Sequence, residues 1–528
     1  MPRTELFADP AGLFIHDVVL QSCKRSPEKI ALLDTSCNRR ITFAEYADLV
    51  ESLARGLVSA GLVPGEVIAI LLPNSWEFAI AYHAATLAGG IPTLLNPSYR
   101  EREIRYQLEN SGAVLLITDA PLLENVNLAG LPALRRVYTT RGFSTHSERA
   151  DCKNFADLLR PSSATIPRPT GNSALTLAAL PYSSGTTGLP KGVMLSHYNL
   201  VANVYQLMGP GATMLTDDDV ILCFLPLYHI YGLTVGLTMS LALGCTLVLM
   251  PRFDVQKVCA LLVEEGVTFM PIVPPAINAL CQVAAAGAFP KNHRVRWIKS
   301  GAAPLAPELA RRLTDLTGII VNQGYGMTEA SPVTHVGYIT PPEMNRPASI
   351  GQPLALTECR VLDVNDNEVA PGEPGELVMR GPQFMLGYWK EPQATDAVLR
   401  DGWYYSGDIV RTDADGFYYV LDRRKEMIKY KGFPVAPAEV EAVLLEHPAV
   451  RDCGVVAKPN LEAGEIPCAF VVVRDGFTAS EKLDHELRTF VADRLSHHKQ
   501  PREIHFVEAV PRTPSGKILR RELRKSIS

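Results

Sequence analysis

The sequence predicts an α/β protein: a large N-terminal domain of parallel-type βαβ sheets with a β-rich subdomain, followed by a small α+β C-terminal domain. Three observations carry this. Short apolar strand candidates alternate with helical patterns through most of the chain, the signature of right-handed βαβ units. After about residue 350 the strands become shorter and more closely spaced. Near Asp422 the charge run Asp422-Arg423-Arg424-Lys425-Glu426 separates these strands from a last segment with its own helices and strands. The boundaries expected are 1–421 for the N-terminal domain, with its β-rich part at about 350–421, and 422–528 for the C-terminal domain.

Taken in order, strands are expected at 67–72, 114–118, 246–250, 268–273 and 318–322, and helices at 43–60, 76–88, 255–265 and 307–317. The strands are continuous apolar runs, as in sheets buried on both faces. The helices repeat apolar residues at three- and four-residue spacing. The polar, proline-rich stretch 161–172 reads as a connector, and 339–347 as a second loop. Residues 221–250 contain no Asp, Glu, Lys or Arg and are long enough to cross a bilayer. Pro226, His229, Gly232, Gly236 and Gly244 break this run into a strand and loop (221–227), a helix (233–243) and a strand (246–250), which is core and not a membrane span. Beyond 350, Pro371-Gly372-Glu373-Pro374-Gly375 makes a turn between two strands. The last domain carries helix 438–446, strands 453–457 and 468–473, helix 480–495 and a basic tail.

Of the 528 residues 47% are hydrophobic and 20% charged, an ordinary globular balance. The net charge of -5 carries no basic excess, which argues against nucleic acid as a partner. Ten cysteines include no C-x-x-C pair and no Cys/His cluster at metal-ligand spacing, as expected of reduced thiols in a cytoplasmic protein. The N-terminal residues have no apolar signal-peptide core, and the C-terminus is no peroxisomal address.

The segment Tyr182-Ser183-Ser184-Gly185-Thr186-Thr187-Gly188-Leu189-Pro190-Lys191-Gly192 is suited to wrapping a polyanion. Its glycines let successive N–H groups face phosphate oxygens, its hydroxyls donate, and Lys191 adds a positive charge. It follows an apolar run at 175–180 that reads as a buried strand. It is not the common P-loop, which needs G-x-x-x-x-G-K-[ST]. Four more segments look like parts of one site. Leu225-Pro226-Leu227-Tyr228-His229-Ile230-Tyr231-Gly232 sets a histidine and two tyrosines in apolar surroundings. Lys299-Ser300-Gly301-Ala302-Ala303-Pro304 lets a flat ring approach the backbone. Gln323-Gly324-Tyr325-Gly326-Met327-Thr328-Glu329 offers a stacking ring, a donor and a carboxylate. Tyr405-Ser406-Gly407-Asp408 reads as a turn ending in an acid able to accept from both hydroxyls of a ribose. Near the C-terminus, Pro514-Ser515-Gly516-Lys517 presents a lysine on a turn.

Together these segments resemble the adenylate-forming superfamily of acyl-CoA synthetases, adenylation domains and beetle luciferase, and within it the 4-coumarate:CoA ligases and related acid:CoA ligases. The resemblance spans nearly the whole chain: the loop at 183–192, PLYHIYG, QGYGMTE, YSGD, DRRKEMIKYKGFPVAPAEVE and PRTPSGKILRRELR. It implies a two-step reaction using ATP, Mg²⁺ and coenzyme A, in which a carboxylate becomes an acyl-adenylate and then a thioester.

Residue by residue, the resemblance implies nucleotide contacts from Ser183, Ser184, Gly185, Thr186, Thr187 and Lys191, with Thr328 also on the phosphates. Gly301, Ala302, Ala303, Gln323, Gly324 and Tyr325 would form the adenine wall, and Asp408 and Arg423 would hold the ribose. Glu329 would be the metal-associated glutamate and Lys517 the lysine joining carboxylate and α-phosphate. The acid pocket would be lined by His229, Tyr231, Val235, Lys299, Ala302, Gly324 and Val333, with His229 gating or orienting the acyl group. Arg252, Lys431 and Gly432 would meet coenzyme A. The C-terminal domain would be mobile about hinge residue Lys425, one face carrying Lys517 and the other Lys429 to Phe433 beside the thiol channel. Two positions depart from the pattern. Pro434 stands where glutamine is usual, and Lys299 stands where an apolar side chain is expected. Lys299 either faces the pocket, where it would favour a distal acceptor or anion on the acid, or turns out to solvent. The acid expected is aryl-propenoic or similarly aromatic, or else a fatty acid. Transfer to an amine or carrier protein and luciferase-like oxygenation stay as alternatives.

Overall fold

A nine-stranded sheet forms the centre of the protein, in the spatial order Gln352–Pro353, Val333–Val336, Ile320–Gly326, Trp297–Ser300, Phe269–Ile272, Val220–Cys223, Thr246–Leu249, Ile30–Asp34, Arg39–Thr42. From Ile320–Gly326 through Ile30–Asp34 all neighbours are parallel, and antiparallel strands close both edges. The computed structural model describes residues 12–124, 126–141, 152–167, 171–183, 189–209, 212–339, 344–423, 426–430, 433–460, 463–495, 497–513 and 516–527.

A second, five-stranded sheet is wholly parallel: Ile91–Leu94, Val67–Leu71, Leu115–Thr118, Arg136–Thr139, Cys152–Asn154. Between the sheets lies the largest core, which includes helices Phe43–Ser59 and Trp76–Leu87. The second of these is apolar nearly all round, as a helix covered on every side must be, and Ser75 caps it by accepting from Phe78 N. Each fully buried large side chain here, such as Phe43 or Phe78, contributes about 1.5–3 kcal/mol.

The charge-free stretch folds as expected into strand, helix and strand, with one difference. Gly232–Thr238 is a π-helix, continued by the α-helix Met239–Leu243. A Cβ on Gly232 would stand 2.2 Å from Pro226 O, and one on Gly236 2.5 Å from Cys223 Sγ. The widened turn lies flat on strand Val220–Cys223 only because both positions are glycine. Among the described residues no helix is long and apolar enough to cross a membrane.

The β-rich part is an antiparallel sheet of Glu358–Leu362, Gly375–Arg380, Trp403–Thr412 and Leu399–Arg400, with Tyr418–Arg423 paired to Trp403–Thr412. Asp422 and Arg423, expected to open the C-terminal domain, are the last residues of the strand Tyr418–Arg423 in this sheet. The expected turn at Tyr405–Asp408 is absent, because these residues lie inside the strand Trp403–Thr412. Gly407, at φ +71°, makes an irregularity there, held by its N–H to Glu376 Oε1 and by Asp408 N–H to Ser406 Oγ. The apolar run at 175–180 is shorter as a strand, Leu177–Ala179, and Leu175 is exposed. The C-terminal domain is a sheet of Val450–Asn460, Gly464–Val473, Ile428–Tyr430, Phe433–Val435 and Glu503–Phe506, with helices Pro437–Glu446, Glu481–Ala492 and Arg520–Lys525.

Candidate active site

The expected nucleotide segments leave the C-terminal ends of neighbouring strands of the central sheet. Trp297–Ser300 runs into Gly301–Ala303, and Ile320–Gly326 runs into Thr328 and Glu329. Open α/β sheets bind ligands at this edge. Gly301 is required there, because a Cβ would lie 2.9 Å from the Tyr231 ring. Tyr231, buried at 8% exposure, donates its hydroxyl to Lys299 O at 2.9 Å. Ala302 adopts φ +66° and stays exposed, so its backbone faces outward from the strand end.

Tyr325, Asp408 and Arg423 come together from three strands. Asp408 and Arg423 are cross-strand partners, with Arg423 Nε 3.3 Å from Asp408 Oδ1. The Tyr325 hydroxyl donates to Asp408 Oδ2. Burial and this carboxylate push the Tyr325 hydroxyl well above its usual range, so it stays protonated. Asp408 thus has both oxygens engaged by side chains. Gln323 differs from expectation. Its amide donates to Pro347 O at 2.8 Å and accepts from Leu305 N at 3.3 Å, so the side chain secures two loops of the wall, and its backbone is what remains for a ligand.

The phosphate side is built round Glu329, which is 6% exposed. Thr328 begins the short 3₁₀ turn Thr328–Ala330. Tyr388 donates to Glu329 Oε1 at 2.8 Å, and burial with the Glu329 charge pushes the Tyr404 hydroxyl well above its usual range. Lys191 Nζ lies over the Tyr388 ring, 5.3 Å from its centroid. Lys191 pairs with Ser183 across a hairpin, so Ser183 and Lys191 fix the base of the expected phosphate loop. Ser184, Gly185, Thr186 and Thr187 lie outside the described residues. Among the described residues only Oε1 of Glu329 has a side-chain partner, and a carboxylate of this kind is the donor Mg²⁺ uses when it shares its shell with substrate phosphates, so Glu329 fits that ion.

Lys517 reaches this site from the C-terminal domain. Gly516, at φ +85°, packs on Pro275 of the large domain, where a Cβ would stand 3.0 Å from the Pro275 ring. Burial chiefly, then the Arg423 charge, push the Lys517 ammonium down to about 8, against the pull of Asp408 and Glu426. Three residues on, Arg520 holds Glu441 through two contacts of 2.7 and 2.8 Å, and Arg524 pairs with Glu426 at 2.6 Å. Lys429 is not brought in. It is exposed, and its backbone N–H donates to Glu465 Oε2 at 2.7 Å. Arg252 is an exposed loop residue. Lys425, Lys431 and Gly432 lie outside the described residues, as does the side chain of Pro434.

Of the residues expected to line the acid pocket, Tyr231 packs against Gly301, and Val235 and Val333 are buried. Burial pushes the His229 imidazole down to about 4, and its Nδ1 accepts from Tyr231 N at 3.3 Å. A neutral ring orients an acyl group and does not pair with it as a cation. Lys299 does not turn out to solvent. It is 6% exposed and, among the described residues, donates to the carbonyls of Ala212 and Gly337, at 3.3 and 3.2 Å. It shares a cleft with Trp297, Thr213, Met214 and Tyr338, as the common strand face of Trp297 and Lys299 predicts. Burial alone pushes its ammonium down to about 8, and among the described residues no carboxylate pairs with it.

Residues 19–389 match the model of the AMP-binding enzyme family, and 439–517 match that of the AMP-binding enzyme C-terminal domain. The chain belongs to the AMP-binding enzyme family. This AMP-binding enzyme is 38% identical to 4-coumarate–CoA ligase 5 of Oryza sativa subsp. japonica, covering 99% of this chain and 96% of that one. Among solved structures it is similar to ATP-bound MatB from Rhodopseudomonas palustris, with TM-score 0.87, 28% identity, and 97% and 99% of the two chains covered. It is also similar to the anthranilate CoA ligase AuaEII in complex with anthranoyl-AMP, with TM-score 0.87, 25% identity, and 100% and 99% covered.

Three site residues of this AMP-binding enzyme were missed in the sequence: Tyr388, Tyr404 and His335. Tyr388 sits in Gly387-Tyr388-Trp389, an aromatic pair after a glycine, which was the available signal. Its relevance comes only from pairing with the strand that carries Lys191.

Proposed function

We propose that this AMP-binding enzyme, an ATP-dependent carboxylic acid:CoA ligase, acts on an aromatic acid that carries a hydrogen-bond acceptor or anion at the end away from its carboxylate. The observation that supports this choice is Lys299, a buried ammonium at a cleft beside Trp297 and Tyr338, with no carboxylate partner among the described residues. A buried cation of this kind costs stability unless a ligand answers it. The glycines at 301 and 324 let the Tyr231 ring and the His335 backbone pack closely against the strand ends, so the wall there is flat. The relatives named 4-coumarate–CoA ligase act on such an acid by name.

In the first step a carboxylate oxygen attacks the α-phosphorus of ATP, the bond to the β-phosphate oxygen breaks, and pyrophosphate leaves. Lys517 places a positive charge where two anions must meet. Tyr325, Asp408 and Arg423 hold adenine and ribose, and Lys191 meets the outgoing phosphates. Glu329 would hold Mg²⁺, which when bound would supply further charge neutralisation. In the second step the coenzyme A thiol gives up its proton to water, its sulfur attacks the acyl carbonyl, and AMP leaves as its phosphate takes the bonding electrons. Coenzyme A contacts from Arg252, Lys431 and Gly432, and rotation about Lys425, belong to this reading.

The test is acid-dependent pyrophosphate release across hydroxylated and unsubstituted cinnamic, benzoic and fatty acids, for the native protein and Lys299→Met. The variant is expected to lose about 10- to 100-fold on acids with a distal acceptor and to keep or gain activity on unsubstituted ones. An unchanged order of preference would remove Lys299 from substrate selection. Stability gives an independent reading. The folded-state value near 8 lies below that of an unfolded lysine, so the buried charge costs stability below pH 8, and the cost is relieved as pH rises further. Lys299→Met is therefore expected to be more stable at pH 7 by on the order of 2 kcal/mol, with the gap closing above pH 8 in urea titrations.

A further inference from the structure

His335 has no part in the chemistry above, yet it is fully buried directly behind the Tyr325 ring. Tyr325 and His335 are cross-strand partners, and their rings meet edge to face with centroids 5.8 Å apart. The other edge of the imidazole meets Tyr418 at 4.6 Å. Tyr418 begins the strand that ends at Arg423, the partner of Asp408. One ring thus sits between the adenine wall and the sheet that carries the ribose contacts.

A chain of hydrogen bonds runs through it in one direction. Cys359 Sγ lies 3.6 Å from His335 Nε2, His335 Nδ1 lies 2.9 Å from Thr334 Oγ1, and Thr334 Oγ1 lies 3.4 Å from Tyr325 O. In the tautomer with its hydrogen on Nδ1, the ring donates to Thr334 Oγ1 and the Thr334 hydroxyl donates to the Tyr325 carbonyl. Nε2 is then the acceptor and takes the thiol hydrogen. Burial pushes the ring down to about 3, which matches a neutral imidazole with one donor and one acceptor nitrogen. An apolar side chain would fill the same space, but only a group that accepts on one side and donates on the other joins Cys359 to Thr334. Satisfied buried networks of this kind fix side-chain positions.

We propose that His335 is a positioning residue for ATP: with Cys359 and Thr334 it holds the Tyr325 wall in register with the Asp408 sheet. This rests on the reading that Tyr325 meets the adenine. The experiment measures steady-state KM for ATP, acid and coenzyme A, with kcat and thermal midpoint, in His335→Ala, His335→Asn, His335→Phe, Cys359→Ala and Tyr325→Leu. His335→Ala is expected to raise the ATP KM about five- to tenfold, with the other two KM values within about twofold. Cys359→Ala should raise it about two- to threefold. His335→Asn, which keeps a donor toward Thr334, should recover most of the loss, and His335→Phe, which only fills space, should not. Equal recovery by Asn and Phe would reduce His335 to packing and overturn the proposal. So would an ATP KM unmoved in His335→Ala while Tyr325→Leu raises it. An ATP KM unmoved in Tyr325→Leu would instead overturn the adenine reading and the proposal with it.

Discussion

Replacing Lys517 with alanine is expected to lower acyl-adenylate formation by at least about 100- to 1000-fold, the usual effect of removing one preorganised charge from a transition state. Conversion of supplied acyl-adenylate and coenzyme A to thioester should stay near the native rate, because that step needs no charge between a carboxylate and an α-phosphate. Assaying the two half-reactions separately checks this, and an equal fall in both would refute the division of labour. The same lysine sets a pH dependence. In the free protein it titrates near 8, lowered by burial and by Arg423. The protonated form is the useful one, so kcat/KM for ATP should fall as pH rises through about 8. Bound triphosphate favours the ammonium, so the corresponding limb in kcat should lie at higher pH. Lys299 titrates in the same range, and a limb that survives in Lys299→Met belongs to Lys517.

Asp408→Ala should act differently. Asp408 accepts from Tyr325 and faces Arg423, so its loss releases both the ring of the adenine wall and the cation beside Lys517. Removing a charged acceptor from two ligand hydroxyls is expected to raise the ATP KM about 100-fold. Because the acyl-adenylate carries the same ribose, the thioester-forming half-reaction should weaken as well. Lys517→Ala thus separates the half-reactions and Asp408→Ala does not. Isothermal titration with AMP checks the binding loss directly, and native AMP affinity in Asp408→Ala would refute the ribose assignment.

Much of this site was legible because local chemistry wrote it into short segments. Helix Pro307–Thr317 shows its bounds through Pro307 in the first turn and Gly318, at φ +76°, just past the end. Apolar strands followed by small-residue loops marked the binding edge of the sheet. What stayed hidden depended on partners distant in sequence. Tyr388 gains its place only by pairing with the strand at Lys191, and His335 only by lying between Tyr325 and Tyr418. The π-helix at Gly232–Thr238 depends on the contact of Gly236 with Cys223. The segment Tyr405–Asp408 looked like a turn because Ser-Gly-Asp favours one, and the long ladder with Tyr418–Arg423 overrides that local preference. The site of Lys299 followed from strand alternation, but its retention inside follows from the carbonyls of Ala212 and Gly337, which no local pattern reveals.

The central claim is that these converging segments join a carboxylic acid to AMP. Its most direct test incubates the purified protein with ATP, magnesium and an aromatic-acid panel without coenzyme A, then traps products with hydroxylamine. The expected result is acid-dependent release of AMP and pyrophosphate in equal amounts, with the acyl hydroxamate formed alongside and lost in Lys517→Ala. Release of ADP and phosphate, or no nucleotide turnover with any acid, would contradict it.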